Sequence, residues 1–424
     1  MLFYVPLESL KERYTMQWSA PETGWLERNW RKYGVEYTRV DGPEQAGGHR
    51  TINTGVVLDA VGRARHTFGQ VNDLLYRAER GDLKSSDVVY FDDFFTPGLE
   101  ALPYYFDQVG VRPRMYAFLH AQSVDEFDFT FPMRNWMRPL EVAFARMLDG
   151  IFVCCPTLKD LVVHGGVADP SKVHVTGHPF SSEEVLSRMP PMYSNWLRSG
   201  GRSPYGSMTN SAGRDNTVIW SSRWDKEKDP LFFLKVAETV IRSGQVPDAK
   251  FVVCTSAPKL RSNDERLRVA LRTACEEFPD QVVVKAGLSK EDYYAELCGA
   301  KVQMNSALQD FVPITLQEAS VAGCVPLYPY FRSMPESLLW RPEYLYQRGD
   351  VHEAACRVVE TLQRDDLWSH EAVTKRSWIH RRFDTSWIRM LSKMGLDGEA
   401  KGLPPEVMLQ DAKKDPFDPT QWGF

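Results

Sequence analysis

Short apolar runs alternate with amphipathic stretches through the first 180 or so residues of the chain. The runs at Leu2–Val5, 35–40, Val88–Phe91, Arg114–Leu119, 150–154 and 173–176 read as strands, and the stretches 25–33, 64–79, 139–147 and 158–163 read as helices, the first closed by Gly34. Parallel neighbours need a crossover, so strands separated by helices predict a parallel sheet covered by helices. Two of these strands end in Asp92-Asp93 and in His120, at the carboxyl ends where open α/β sheets place their ligands.

The pattern stops after residue 185. Residues 186–216 are rich in Pro, Ser, Gly, Asn and Arg, with few aliphatics, which predicts a linker or mobile loop. It then restarts, with strands at 217–221, 250–254, 281–285, 302–305 and 325–328 and helices at Pro230–Ser243, 264–277, Lys290–Gly299 and 313–322. The fold class this predicts is α/β, with two doubly wound Rossmann-like domains, 1–185 and 217–375, facing a central cleft. Residues 376–424 are expected to form a helical segment crossing back to the first domain.

Composition narrows the picture. A chain of 424 residues that is 43% hydrophobic can bury large cores in two or three domains, which excludes disorder and coiled coil as its main state. A formal charge of −5 provides no general attraction to nucleic acid or to anionic membrane, so a polyanion would have to meet a local patch. The stretch up to Glu184 is the acidic part, with 19 basic against 25 acidic residues. No run approaches the roughly 20 apolar residues that cross a bilayer, and the opening meets Pro6 and Glu8 too soon for a signal peptide, so a cytoplasmic protein without a membrane partner is expected. Seven cysteines, with Cys154-Cys155 in an apolar run and no Cys-x-x-Cys spacing, suit reduced core thiols rather than disulfides or zinc.

The residues best suited to chemistry lie in the second half. Asp310 and Glu318 have seven residues between them, with a helix starting there at Pro313, a residue favoured in a first helical turn. Such a start leaves amides around Ile314 and Thr315 as an anion site suited to a diphosphate, with Glu318 placed for ribose hydroxyls. Upstream, a buried strand ends in Arg223, and Lys228 follows just before Pro230, two cations that can neutralise a leaving diphosphate without a metal. Blander readings stand beside these. Arg223 and Lys228 could pair with Asp225, Glu227 or Asp229, Asp310 could be a loop carboxylate or helix cap, His120 could be structural, and Asp92-Asp93 could cap a strand and orient a loop rather than bind metal.

Arg223 and Lys228, the Asp310 and Glu318-Ala319 pair, Gly323-Cys324-Val325-Pro326 and Pro335-Glu336 resemble the nucleotide-sugar half of retaining GT-B glycosyltransferases of the glycogen-synthase-like family 4 type. His120 after its strand, and the run from Val173 to Phe180 with Gly177-His178-Pro179, resemble that family's first domain. Asp310 departs from the more common Glu, and the Gly-Gly loop after the first strand is absent, with Gly47-Gly48 or Thr54-Gly55 as replacements. The resemblance implies that Arg223 and Lys228 hold the diphosphate, Glu318 the ribose, Asp310 sugar hydroxyls, the loop 285–288 with Gly287 and Leu288 the nucleobase, and His120 the transferred sugar. It also implies retaining transfer with no protein nucleophile, no metal and no cofactor, the co-substrate being a nucleotide sugar, with a UDP-sugar expected first.

The opening around Tyr4 to Glu8 with Arg13 to Thr15, and the run from Phe91 to Tyr105, resemble phage-encoded glycosyltransferases, some of which modify hydroxymethylated pyrimidines in DNA. This implies a DNA partner carrying a modified base, in the host cytoplasm. Arg188, Arg198, Arg202 and Arg214, with no acid before Asp215 and with Tyr193, Trp196 and Tyr205 between them, have the composition of a nucleic-acid groove, or of a solvated linker. Arg63, Arg65, Arg134, Trp136 and Arg138 are a second such set. A saccharide or small-molecule acceptor, and a non-catalytic nucleotide-sugar-binding module, are the alternative functions.

Overall fold

The computed structural model describes residues 1–8, 14–21, 23–43, 60–120, 122–128, 130–198, 214–260, 262, 264–308 and 310–396. Gly47-Gly48, Thr54-Gly55, Arg202 and Tyr205 lie outside these residues. The chain divides into two units, one of residues 1–179 with 385–424, the other of residues 180–384.

In the first unit, strands β1 (Leu2–Val5), β2 (Tyr37–Arg39), β3 (Val88–Phe91), β4 (Arg114–Leu119), β5 (Gly150–Val153) and β6 (Val173–Val175) form one parallel sheet. Its order is β2-β1-β3-β4-β5-β6, so the winding reverses between β1 and β3. Every residue of β1, β3 and β5 is buried, the state that an uninterrupted apolar strand covered on both faces requires. The helix Ser386–Met394 belongs to this unit, where Trp387 stacks on Tyr33 with centroids 5.3 Å apart and Arg389 donates to the Thr176 carbonyl at 3.0 Å.

In the second unit, β7 (Asp215–Trp220), β8 (Lys250–Thr255), β9 (Val282–Ala286), β10 (Ala300–Met304), β11 (Val325–Tyr330) and β12 (Leu345–Gln347) form a parallel sheet in the order β12-β11-β10-β7-β8-β9. This is the doubly wound 3-2-1-4-5-6 arrangement, and it reverses between β7 and β10. Trp220, Trp224 and Phe233 fill one side of the core, and Phe232 stacks on Tyr346 at 5.5 Å.

Several elements differ from the sequence expectation. The expected linker contains the helix Pro191–Arg198 of the second unit, whose Tyr193, Trp196 and Leu197 are buried. Pro190-Pro191 reads as a break, yet Pro is favoured where a helix begins, and the three apolar residues share one helical face. The helix at 139–147 starts earlier, as Arg134–Met147, with Pro139 inside it. Three-residue β12 is too short for its period to be visible. The helix His370–Arg381 stays in the second unit, against the helix Ile314–Val321, and the return to the first unit begins at Thr385. No helix among the described residues is long and apolar enough to cross a membrane.

Candidate functional site

The carboxyl ends of β7 and β10 flank the reversal of the second sheet, where doubly wound folds open a crevice for ligands. After β7 the chain runs through Ser221, Ser222 and Arg223 into a short turn at Lys226–Lys228, and the helix Pro230–Ser243 follows. After β10 comes Asn305, which ties the two strand ends together. Its Nδ2 donates to Ser222 Oγ at 3.1 Å, its Oδ1 accepts from the Ala307 amide at 2.6 Å, and its carbonyl accepts from the Tyr346 hydroxyl at 2.6 Å. Ser306 Oγ donates to the carbonyls of Lys228 and Asp229 at 3.0 and 2.8 Å, and the Leu308 amide donates to the Glu227 carbonyl at 2.9 Å. The loop carrying Lys228 and the loop carrying Asp310 are thereby held together.

The ionic consequence is direct. Buried Lys228 donates to Asp310 Oδ2 at 2.7 Å across 82 positions of sequence. Arg223, more exposed, pairs with Glu227 at 2.7 Å and lies 3.8 Å from Asp225, as its blander reading expected. Four residues beyond Asp310 the helix Ile314–Val321 begins, with Pro313 at its cap and no side-chain cap, so the amides of Ile314 and Thr315 sit at its open positive end.

On that same helix Glu318 is only 1% exposed. Its Oε1 accepts from Lys290 Nζ at 2.6 Å and from the Tyr294 hydroxyl at 2.9 Å. Burial, and then the Glu318 charge, push the Tyr293 and Tyr294 hydroxyls well above their ordinary range, so both remain proton donors. Tyr293 in turn reaches Ser221 Oγ at 2.9 Å. From sequence, Lys290, Tyr294 and Asn305 have no role in the site beyond their place in a helix and a strand. Asn305-Ser306 at a strand's carboxyl end could have marked the site, whereas Lys290 meets Glu318 across 28 positions of sequence, a pairing that only tertiary packing sets. The loop 285–288 is pinned to the end of β8, with the Gly287 amide on the Ala257 carbonyl at 2.9 Å and the Leu288 amide on the Thr255 carbonyl at 3.2 Å.

Of the four arginines expected to grip an acceptor, the three that are described are each engaged within the second unit. Arg188 pairs with Glu184 at 2.9 Å and Arg198 with Glu183 at 2.5 Å, while Arg202 lies outside the described residues. Arg214 is 5% exposed, and its guanidinium donates to the carbonyls of Leu297 at 2.9 Å, Ala300 and Ala322 and to the Tyr193 hydroxyl. Trp196 is buried against His370, with centroids 5.0 Å apart. A guanidinium enclosed in this way, with its terminal nitrogens on carbonyls and a tyrosine hydroxyl, is out of reach of a phosphate, so Arg214 and Trp196 are core residues and the expectation for them is corrected.

In the first unit, half-buried His120 follows β4. Its Nε2 lies 2.8 Å from the Asp92 carbonyl, which can only accept, so Nε2 carries the proton. The rings of Trp18 and Phe118 lie 5.1 and 5.0 Å from it, and His178 completes the cluster. Burial, with the field of His120, lowers the His178 pKa to about 3. The Asp92 carboxylate accepts from the hydroxyls of Tyr4 and Ser19 and from the Leu7 amide at 3.2 Å, and burial raises its pKa. Asp93 pairs with Arg63. Asp92 thus ties Leu7 and the helix end at Ser19 to its strand end, Asp93 meets the helix Ala60–Glu79 through Arg63, and among the described residues no three His, Cys, Asp or Glu side chains converge to hold a metal ion.

No family profile matches the chain. Among solved structures it is similar to an α,α-trehalose 6-phosphate synthase from Burkholderia multivorans, at 12% identity and a TM-score of 0.63 over 94% of this chain and 97% of that one. It is similar to a sucrose-phosphate synthase from Thermosynechococcus elongatus at 12% identity and a TM-score of 0.61, over 92% and 97% of the two chains. It also matches TarM, at 13% identity and a TM-score of 0.50 over 77% of this chain, and there it spans only 57% of the other protein's length. With two parallel six-stranded sheets, each wrapped by helices, the chain has the α/β fold of the GT-B glycosyltransferases.

Proposed function

We propose that this chain is a nucleotide-sugar-dependent glycosyltransferase that transfers its sugar with retention, from a UDP-sugar, onto the hydroxyl of a hydroxymethylated pyrimidine in DNA. The observation that carries the transferase reading is the pairing of Lys228 with Asp310 beside the uncapped start of the helix Ile314–Val321, where the second sheet reverses. A cation, a row of free amides and a sugar-facing carboxylate are what a sugar diphosphate requires. On donor binding the diphosphate replaces Asp310 as the partner of Lys228 and Glu227 as the partner of Arg223, and Asp310 turns to the sugar hydroxyls. Lys290 and Tyr294 hold the Glu318 carboxylate in place for the ribose, Gly287 and Leu288 border the base, and His120 keeps the role toward the transferred sugar that the resemblance implies. Side-chain cations and helix amides supply the positive field, so neither metal nor cofactor is required.

A second reading concerns the acceptor alone. Two of the similar structures bear the names of synthases of phosphorylated disaccharides, which favours a saccharide acceptor. A panel of nucleotide sugars offered with hydroxymethylated DNA, and separately with free sugars and sugar phosphates, distinguishes the two when the products are read by mass spectrometry. A hexose or pentose added to the base, undiminished by a chelator, is the expected result. Transfer only to a soluble saccharide replaces the DNA reading, loss of turnover in chelator restored by manganese removes metal independence, and no transfer from any donor leaves a binding module.

A further inference from the structure

At the carboxyl end of β11 the chain leaves the sheet through Tyr330, Phe331 and Arg332, and a four-residue helix, Met334–Ser337, brings it round to Trp340. Arg332, Leu339 and Trp340 all lie in the left-handed region, with φ of 51°, 55° and 55°, a conformation that non-glycine residues avoid. The Trp340 amide is held there by the Pro335 carbonyl at 2.7 Å. This strained return does not bury the indole. Trp340 is 48% exposed and Tyr330 52%, with their rings 6.3 Å apart at 63°. The segment is also fixed to the candidate donor site, because the hydroxyls of Ser333 and Ser337 donate to the Phe311 carbonyl, next to Asp310, at 2.6 and 3.1 Å.

Two guanidiniums lie over Phe331, the residue that follows Tyr330. Exposed Arg348 lies 4.0 Å from the Phe331 centroid, and Arg332 lies 5.4 Å from Phe331 and 5.7 Å from Phe311. The neighbouring acid Glu343 is paired with Arg341 at 3.1 Å. Strain spent on holding an aromatic pair in solvent, beside arginines, marks a ligand surface rather than a core.

We propose that Tyr330 and Trp340, with Arg332 and Arg348 on the adjoining Phe331, form a stacking platform for unpaired nucleotides of a nucleic-acid acceptor. A small ligand needs most of its surface enclosed, and these rings stand open. An extended strand instead lays its bases on exposed aromatic faces and leaves its phosphates to nearby guanidiniums, which matches the charge and exposure of this patch. The choice of acceptor rests on the function proposed above; the platform itself needs no transfer chemistry to be detected.

The test measures fluorescence anisotropy of a short labelled oligodeoxythymidylate with the full chain across a salt series. Trp340→Gly removes the ring while easing the left-handed backbone, and together with Tyr330→Ala it is expected to weaken binding by roughly 5- to 100-fold, the usual loss for one stacked base. Trp340→Tyr restores most of the binding, and Arg348→Gln lowers the slope of log affinity against log salt by about one. The thermal shift produced by a UDP-sugar stays unchanged in all of them. Oligonucleotide binding that is indifferent to Trp340→Gly in a folded protein overturns the platform, as does the absence of binding by the wild type at low salt. If the variants instead lose binding to an oligosaccharide panel, the platform is a saccharide surface. Sugar turnover that persists when the platform fails separates its failure from failure of the transferase reading.

Discussion

Lys228 and Asp310 neutralise each other at 2.7 Å, and any diphosphate has to compete with that pair. Lys228→Ala removes an aimed, buried cation and is expected to lower turnover by roughly 10² to 10³, with Arg223→Ala acting in the same direction; initial-rate kinetics with a native circular dichroism spectrum check this. Near-native rates in folded Lys228→Ala would move the diphosphate elsewhere. Lys290→Met leaves Glu318 buried without its cation, so the expected effect is a higher KM for the donor with a smaller change in kcat. His178 is subject to a separate, pH-dependent effect. Its side chain titrates near 6.5 when unfolded but at about 3 when folded. Between those values the unfolded chain holds a proton that the native chain lacks, so stability falls as pH drops, by up to about 1.4 kcal/mol per pH unit. His178→Gln should flatten that part of the pH profile in urea titrations, and an unchanged profile refutes the assignment. Asp310, Glu318, Arg223 and Lys228 were named from spacing and type, and the pairing of Arg223 with its near neighbours Asp225 and Glu227 was among the readings; the Lys228–Asp310 pair was not, because charge pairing across 82 residues is set by packing.

Arg214 and Arg376 connect helices rather than ligands. Arg214 reaches the carbonyls of Leu297 and Ala300 at the end of the helix Lys290–Gly299 and that of Ala322 at the end of the helix Ile314–Val321. Arg376 donates to the Gly323 carbonyl at 3.1 and 3.3 Å, and its guanidinium lies 5.1 Å from the Trp368 ring. Orphan carbonyls and the negative ends of two helix dipoles are satisfied together. These are the helices that carry Lys290 and Glu318. Arg214→Met strips partners from several buried carbonyls, and a loss of unfolding free energy on the order of 3 kcal/mol is expected from denaturant titration, together with weaker donor binding. Gly323 was legible as the point where the chain turns back, and its φ of 79° confirms the geometry; a Cβ there would come within 2.5 Å of Val373. Arg214 was misread for a simple reason. An arginine in a Gly- and Ser-rich stretch carries no local sign that two helix ends will enclose it.

The two units make one further expectation separable. A nucleoside diphosphate that binds only the folded second unit stabilises it by RT ln(1 + [L]/Kd), about 2.7 kcal/mol at a hundredfold excess over Kd. A thermal shift with UDP is therefore expected in the wild type and in His120→Ala, and is expected to vanish in Lys228→Ala. A shift that survives Lys228→Ala but disappears in His120→Ala would reverse the assignment of the two units. At this level the alternation of strand and helix sufficed to indicate two doubly wound domains, because strands buried on both faces must be apolar throughout and parallel strands must be separated by crossovers. The 3-2-1-4-5-6 order of the second sheet was not written in that alternation, since strand order depends on which strands pair and not on their sequence of appearance. Local pattern and short-range motif thus sufficed for fold class and for a helix start at Pro313, which caps the helix Ile314–Val321. Only tertiary packing enclosed Arg214 and Trp196, brought Lys290 to Glu318 and left Trp340 in solvent, because burial and charge pairing are properties of neighbours distant in sequence.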